Sequence, residues 1–381
     1  NTRYEDLPPE AVRATKEHLL DTIGVAVGGS SAPGCKLLLD QMREWGGKEE
    51  SSVLVYGGKL PAPSAALVNG TMGHARDFDD NHDTIAYKGS VAAVPAALAV
   101  AEPLGISGKD FITAVCLGVD LGCRLGLAIQ PKPTHAFARA LGCYAAAAAA
   151  GKALSLNQEQ MLNALGLAHC EVGVAGMSTE APSLTKRLSV GIAARAGAFG
   201  ALLAARGYPA GRALFHGPKG YYCIYERQEG DLAEVVEGLG QRYEVVTLGM
   251  KPYPSCRYTH APVDAALQII LKENLVENSR KMGALLLRGL AELQAMSPLI
   301  GLARGRGLMI GVELVNPKTR KPLESALCRE LFEECLSRGL LTMSYNPMLR
   351  INPPLTITPD EAEHGVAVFG EALAAVAGRH G

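Results

Sequence analysis

The sequence predicts a mainly α protein, in which an all-helical domain over residues 1–268 precedes a small α+β domain over 269–381. Between residue 8 and about residue 268, apolar residues recur at helical spacing and strand alternation is scarce. Alanine tracts and 43 glycines leave many side chains small, which suits closely packed helices. After about residue 270, helical and strand-like patterns alternate, so the boundary is predicted near 268 to 272.

Helix signals recur along the first domain. Pro8 and Pro9 precede an apolar set close to helical spacing. The run Ala145–Ala150 has the highest helix propensity available and predicts a buried helix. Asn157 and Gln160 form a capping-box-like start for the next apolar segment. These signals predict successive helices joined by Pro/Gly-rich loops.

The second domain shows a different order of elements. A Gly305-Arg306-Gly307 segment leads into an apolar run of strand length. The predicted elements are a helix from Leu275 to Leu293, a strand over Leu308–Val315, a helix over 325–338, two short strands over Leu340–Ser344 and Met348–Ile351, and a last helix capped by Thr358 and Glu361.

Charge and cysteine content exclude several classes of partner. Lys+Arg 37 against Asp+Glu 38 leaves a net charge of -1, so nucleic acid is not expected to bind. The nine cysteines are scattered without a Cys-x-x-Cys pair, which favours a reducing compartment, and we expect a cytoplasmic protein. The longest apolar stretches contain proline or are mostly alanine, so no membrane crossing of roughly 20 residues is predicted.

The densest ionisable cluster runs from His74 to Asp83 and holds four aspartates and two histidines. Three interpretations stay open on spacing alone. The side chains could transfer protons with pKa values shifted by crowding, they could bind a divalent metal, or they could form a solvated acidic turn.

Two further segments concentrate polar side chains. Lys186 and Arg187 directly precede a small-residue helix predicted over Gly191–Ala205. A proline-stiffened segment from Lys251 to His260 presents lysine, tyrosine, cysteine, arginine and histidine within ten residues, as rigid loops at binding sites do. Cys256 and His260 have the spacing of metal ligands without a third ligand, so a half-buried structural pair is favoured there.

Four motifs in order make residues 1 to about 268 resemble the MmgE/PrpD family of 2-methylcitrate dehydratases, cis-aconitate decarboxylases and iminodisuccinate epimerases. They are Asn69-Gly70 with His74 and Asp77-Phe78-Asp79-Asp80, Val94-Pro95-Ala96-Ala97-Leu98, Thr185-Lys186-Arg187-Leu188, and Lys251-Pro252-Tyr253-Pro254-Ser255-Cys256-Arg257 with His260. The resemblance implies an all-helical main domain with a smaller lid, a homodimer, a small polycarboxylate substrate, and chemistry without metal or organic cofactor. It displaces the metal interpretation.

The resemblance also implies roles for single residues. Lys186 and Lys251 match lysines that bind substrate carboxylates and stabilise developing charge, and Asp77 matches the site aspartate. Other candidates for catalysis are His82 and His135. Candidates for substrate binding are Lys88, Asn81, Arg187, Tyr253, Arg257 and His260.

The chain departs from the family pattern at several site positions. Asn81 stands where Thr is usual, and Lys88 stands where a His commonly opens the next loop. A second family histidine falls at Ala136, one place from His135, and Ser189 stands where many members have His. These losses of acid–base candidates point away from 2-methylcitrate dehydration and toward another elimination, a decarboxylation or an epimerisation.

Residues from about Asn274 to Ala377 resemble the small domain of class III, pyridoxal-phosphate-dependent aminotransferases. The resemblance rests on the segments Gly305–Glu313 and Leu349–Thr358, and it implies that Arg350 binds a substrate carboxylate. The aminotransferase large domain, with its Schiff-base lysine, has no counterpart upstream. We therefore expect a lyase or isomerase fused to this segment. The open alternatives are a pyridoxal-phosphate-dependent activity and an inactive binding or oligomerisation module.

Overall fold

A computed structural model describes residues 2–85, 87–129, 138–172, 183–227, 229–342 and 346–380. The chain divides into two compact units, Asn1–His260 and Ala261–Gly381. The first is almost entirely helical and the second is α+β, which confirms the predicted fold class. The division falls earlier than the predicted 268 to 272, and the helix that carries the predicted boundary begins at His260.

Nine α-helices are described in the first unit, and a short antiparallel strand pair lies between the second and third. In order they are α1 Pro9–Ser30, α2 Cys35–Trp45, β1 Ser51–Ser52, β2 Lys59–Leu60, α3 Ala62–His74, α4 Ser90–Leu104, α5 Gly108–Leu127, α6 Ala138–Ala153, α7 Gln158–Cys170, α8 Thr185–Ala205 and α9 Leu232–Val236. The strand pair has no counterpart among the sequence predictions.

Local signals account for several helix starts. Pro9 occupies the first turn of α1. Asn157 accepts a hydrogen bond from the Gln160 amide at 2.9 Å, and the Gln160 side chain accepts one from the Asn157 amide at 3.1 Å, which completes the predicted capping box. Helix α8 begins at Thr185, so Lys186 and Arg187 lie in its first turn rather than before it.

Small residues let α8 pack closely against α3. A Cβ added to Gly191 of α8 would lie 2.3 Å from the Leu67 carbonyl oxygen of α3. Non-bonded atoms do not approach each other so closely. The same contact brings the start of α8 to the end of α3, where the acidic motif begins. Helix packing thus positions two of the predicted motifs together.

Helix α8 is also the one helix in the described part of the chain that is long and apolar enough to cross a membrane by length and composition. The sequence predicted no membrane crossing in this segment. In the structure, 61% of its most apolar window is buried inside the unit, as in a core helix.

The second unit packs helices on a three-stranded antiparallel sheet of order β3-β4-β5. Its elements are α10 His260–Lys272, α11 Leu275–Met296, β3 Ile300–Arg306, β4 Met309–Leu314, α12 Ser325–Ser337, β5 Met348–Ile351 and α13 Pro359–His380. Strand β3 was not predicted. The predicted strand at Leu340–Ser344 is wrong over 340–342, which form no strand, and 343–345 lie outside the described residues.

Candidate functional site

The candidate site is built on the loop that follows α3. Asp77 adopts a left-handed backbone conformation with φ 52°, which is uncommon for a residue other than glycine. Its amide donates to the His74 carbonyl oxygen at 2.9 Å and closes a tight turn. Further along, Asn81 and Gly249 exchange two backbone hydrogen bonds of 3.0 and 2.9 Å, which fasten the segment carrying Lys251 beside the loop.

Three lysine ammonium groups converge on the Asp77 carboxylate. Lys251 donates to Asp77 Oδ1 at 2.8 Å, and Lys88 donates to the same oxygen at 2.9 Å. Lys186, from the first turn of α8, forms an ion pair with Oδ2. Lys251 also donates to the Asp77 carbonyl oxygen at 2.6 Å. The structure therefore brings together Asp77, Lys186 and Lys251, from three distant stretches of chain.

Asp79 adds a second carboxylate to this lysine cluster. Its Oδ1 lies 2.9 Å from His74 Nδ1 and 3.2 Å from Lys88 Nζ. Both Asp79 and His74 are buried. Lys88 thus bridges the two carboxylates, and Asp79 orients the imidazole of His74.

The electrostatics keep both carboxylates ionised. Burial raises the pKa of Asp77, but the charge of Lys88, the neighbouring His74 and the bonds from the other two lysines outweigh it and hold the pKa far below its usual range. Burial likewise opposes ionisation of Asp79, yet the charges of His74 and Lys88 lower its pKa to about 2. Burial and then the charge of Lys88 lower the pKa of Lys251.

The opposite side of the loop faces a second group of ionisable side chains. Asp80 accepts from the Ser90 amide at 3.2 Å and lies 3.2 Å from His18 Nδ1 of α1. Burial, then the charge of Asp80, raises the pKa of Asp21 to about 6. Asp21 lines a cavity of about 560 Å³ together with Phe78.

His82 and Asn81 belong to the same loop, but their described contacts lead away from the lysines. The His82 amide donates to the Tyr87 carbonyl oxygen at 2.7 Å, and its Nε2 lies 3.7 Å from Glu244 Oε2. The Asn81 side chain donates to Asp83 at 3.5 Å. Their predicted roles in catalysis and substrate binding stay predictions.

Arg257 and His260 form a neighbouring group. Arg257 makes a two-pronged ion pair with Asp83 at 2.7 and 2.6 Å, and its Nη1 lies 3.2 Å from His260 Nδ1. The ring of Tyr253 meets His260 edge-on at 5.3 Å between centroids. These contacts stiffen the segment that delivers Lys251.

The remaining predicted site residues lie elsewhere. Arg187 donates to the Pro33 carbonyl oxygen at 2.9 Å. His135 falls outside the described residues. Arg350 belongs to the second unit, where it lines a largely apolar cavity of about 510 Å³.

Sequence reasoning did not select His74, Asp79, His18 or Asp21 as site residues. His74 and Asp79 were visible inside the recognised motif, and their shared spacing with Asp77 was the available signal. His18 and Asp21 lie on a helix far upstream, and nothing in the local pattern connects them to the loop.

One group of possible metal ligands lies in this loop. Ligand atoms of His74, Asp77 and Asp79 lie within 4.8 Å of one another. The Asp77 oxygens already accept from lysine ammonium groups, and Lys88 also donates to Asp79 Oδ1. A divalent cation would meet three positive charges at this point, so the donor set does not fit a metal.

The described residues of the second unit do not supply a pocket lysine for pyridoxal phosphate. This cofactor needs a lysine within a pocket. All four lysines of the unit are exposed, and none lines the cavity that holds Arg350; they are Lys272, Lys281, Lys318 and Lys321.

Comparison with known proteins divides the chain in the same way. Residues 1–231 match the MmgE/PrpD N-terminal domain, and residues 259–373 match class-III aminotransferases. A cis-aconitate decarboxylase of Aspergillus terreus is 31% identical over 281 residues, which are 70% of this chain and 57% of that enzyme. Human mitochondrial alanine–glyoxylate aminotransferase 2 is 37% identical over 113 residues, which are 29% of this chain and 22% of that enzyme.

A solved amine transaminase from an uncultivated Pseudomonas species, in the PLP-bound form, is 30% identical, with a TM-score of 0.31. The match covers 38% of this chain and 33% of that one. The chain spans little more than half the length of the decarboxylase and about a fifth of the human aminotransferase.

Proposed function

Because the chain belongs to the MmgE/PrpD family, we propose that it is a cofactor-independent lyase or isomerase that moves a proton beside a carboxylate of a small polycarboxylate. The observation that carries the proposal is the convergence of Lys88, Lys186 and Lys251 on one carboxylate. Three ammonium groups exceed what Asp77 can balance, and a partly buried excess of positive charge favours an anionic ligand.

The three lysines differ in access to solvent. The side chain of Lys186 is 39% exposed, whereas that of Lys251 is 1% exposed. Lys186 is therefore the ammonium group that an arriving carboxylate meets first, and Lys251 stabilises charge from the buried side. A proton removed beside a carboxylate leaves negative charge on its oxygens, which fixed ammonium groups offset in the transition state.

Asp77 is the candidate base, and its basicity depends on what the lysines bind. Its pKa is held far below the usual range because burial is outweighed by Lys88 and the other lysines. A substrate carboxylate that takes over a bond from Lys186 weakens this hold, so the pKa of Asp77 rises and the carboxylate becomes a better base. Substrate binding would thus activate the group that accepts the proton.

Two observations favour a reaction type: the site positions at which the chain departs from the family pattern, and the activity for which a relative is named. The chain lacks histidines that the family resemblance associates with 2-methylcitrate dehydration, and a relative is named cis-aconitate decarboxylase. Decarboxylation of an aconitate-like tricarboxylate is therefore the first reaction to test, followed by elimination from citrate-like acids and epimerisation of iminodisuccinate.

The test is incubation of the protein with each acid in deuterated water, followed by proton NMR. We expect loss of carbon dioxide, elimination or deuterium uptake with one of them. Lys186→Gln and Asp77→Asn should lower kcat/KM by about 100-fold or more, since each removes a charged group at the reacting centre. Lys109→Gln, which changes an exposed lysine paired with Glu5, is the matched control.

Equal rates in Lys186→Gln and the control would contradict the assignment. Binding of polycarboxylates with no turnover would instead favour the inactive binding module. Pyridoxal phosphate that borohydride fixes to a lysine would favour the aminotransferase alternative, for which the second unit offers no pocket lysine. The family resemblance also favours a homodimer, which sedimentation of the full chain tests.

A further inference from the structure

Lys88 is a partly buried lysine at a position where the chain departs from the family pattern. Its side chain is 13% exposed, and its ammonium group lies 2.9 Å from Asp77 Oδ1 and 3.2 Å from Asp79 Oδ1. Burial lowers its pKa, but the charges of Asp79 and Asp77 raise it above the usual value, so the ammonium group stays charged.

The charges of the lysine cluster do not cancel. Asp77 and Asp79 carry two negative charges, and Lys186 and Lys251 alone would balance them. Lys88 adds a third positive charge between the two carboxylates. The three ammonium groups therefore outnumber the two carboxylates by one, and Lys88 is the ammonium group that lies between both carboxylates.

We propose that Lys88 is a specificity-determining residue, whose unbalanced charge makes the lysine cluster prefer anions with several carboxylates to those with one. This inference rests on the proposed function and names its substrate by charge. A fixed charge attracts each additional carboxylate of a ligand, and at a separation of about 8 Å and an effective dielectric of about 20 the gain is roughly 10- to 100-fold in affinity per carboxylate.

Removal of this charge should leave the fold intact. In Lys88→Met, Asp77 keeps its bonds from Lys186 and Lys251, and Asp79 keeps its bond to His74. No buried carboxylate loses its last partner, and methionine has a similar length. Lys88→Arg keeps the charge and serves as the second variant.

The experiment is titration calorimetry of the full chain at fixed ionic strength and pH 7.5, with three unreactive probes: tricarballylate, succinate and butyrate. We expect the wild type to bind them in that order, with steps of about tenfold. Lys88→Met should bind all three within about threefold of one another. Lys88→Arg and the surface control Lys109→Met should keep the wild-type order.

The possible outcomes separate the two proposals. A wild-type order of affinities that persists in Lys88→Met overturns the role of Lys88 and leaves the lyase proposal standing. Turnover of a polycarboxylate without any order among the probes does the same. A wild type that neither binds nor converts any polycarboxylate overturns the proposed function and this inference with it.

Discussion

Neighbouring aspartates in the loop that follows α3, the acidic loop, make contacts on opposite sides of that loop. Asp77 and Asp79 contact the lysines, whereas Asp80 contacts His18 and the start of α4. The motif was recognisable as a string of ionisable residues, but its partners come from far along the chain. Local spacing therefore predicted that the loop matters without predicting which carboxylate meets which cation.

Asp21 provides a test of the ionisable group behind the loop. Burial, and then the charge of Asp80, raises its pKa from 3.8 to about 6, against the opposing charges of His18 and Lys251. The pKa of this carboxyl is higher in the folded than in the unfolded chain. Its contribution to the free energy of unfolding is therefore fully present below the unfolded pKa, at about pH 4, and is lost as the pH rises through the folded pKa of about 6.

We therefore expect Asp21→Asn to be more stable relative to wild type at pH 8 than at pH 4, by about 1 to 2 kcal/mol after allowance for partial solvent access. Urea denaturation at several pH values measures this difference. Asp40→Asn, a change at an exposed carboxylate on α2 paired with Lys36, is the control. Parallel stability curves for wild type and Asp21→Asn between pH 4 and 8 would contradict the prediction.

Among the helices, the contact of α3 with α8 does most to assemble the site. Composition and alanine content predicted closely packed helices, and the structure shows where the packing has no spare room. His74 ends α3 and Lys186 lies in the first turn of α8, so the spacing of these two helices sets the distance from Lys186 to the acidic loop.

A methyl group at Gly191 tests this contact. Gly191→Ala would bring a Cβ within 2.3 Å of the Leu67 carbonyl oxygen, which cannot move without its helix. We expect a loss of about 1 to 3 kcal/mol in the free energy of unfolding, with a fall in turnover because Lys186 shifts. Denaturant unfolding and assays of the same preparation measure both effects.

The matched change is Gly24→Ala on α1, where an added Cβ meets nothing within 4 Å. It should stabilise the protein by up to about 1 kcal/mol through helix propensity. If both variants change stability by the same amount and in the same direction, close packing at Gly191 is not the cause.

For the molecule as a whole, the two units have separate hydrophobic cores. Leu39 belongs to the core of the first and Leu290 to the core of the second, and both side chains are almost fully buried. All the contacts of the lysine cluster described above come from the first unit. The aminotransferase-like segment therefore has its own basis for stability.

Two cores predict two melting transitions in scanning calorimetry of the full chain. Leu39→Ala and Leu290→Ala should each cost about 2 to 5 kcal/mol and lower a different transition, since each leaves a cavity in one core. A single transition that both variants lower equally would show that the units unfold together.

Much of this architecture was predictable from the order of residues along the chain. Helical periodicity, the capping box at Asn157 and the change of pattern near residue 270 are local, because hydrogen bonding and burial repeat along each helix. The family motifs also indicated that Asp77, Lys186 and Lys251 act together. Strands β1 and β3 were not predicted, because β1 has only two residues and the seven residues of β3 include two glycines and two arginines in place of a clear apolar alternation.

The order of residues along the chain did not predict three contacts of the site. These are the contacts of Lys88 with two carboxylates, the pairing of His74 with Asp79, and the contact of Asp80 with α1. His74 and Asp79 are only five residues apart, and Lys88 lies eleven and nine residues from the two carboxylates, but no periodic pattern in the loop fixes which groups meet. Asp80 meets His18 from another helix, and burial contributes to the pKa of each group. Periodicity carries information about one face of one segment. The protonation and partners of a buried charge are set by everything that folds around it.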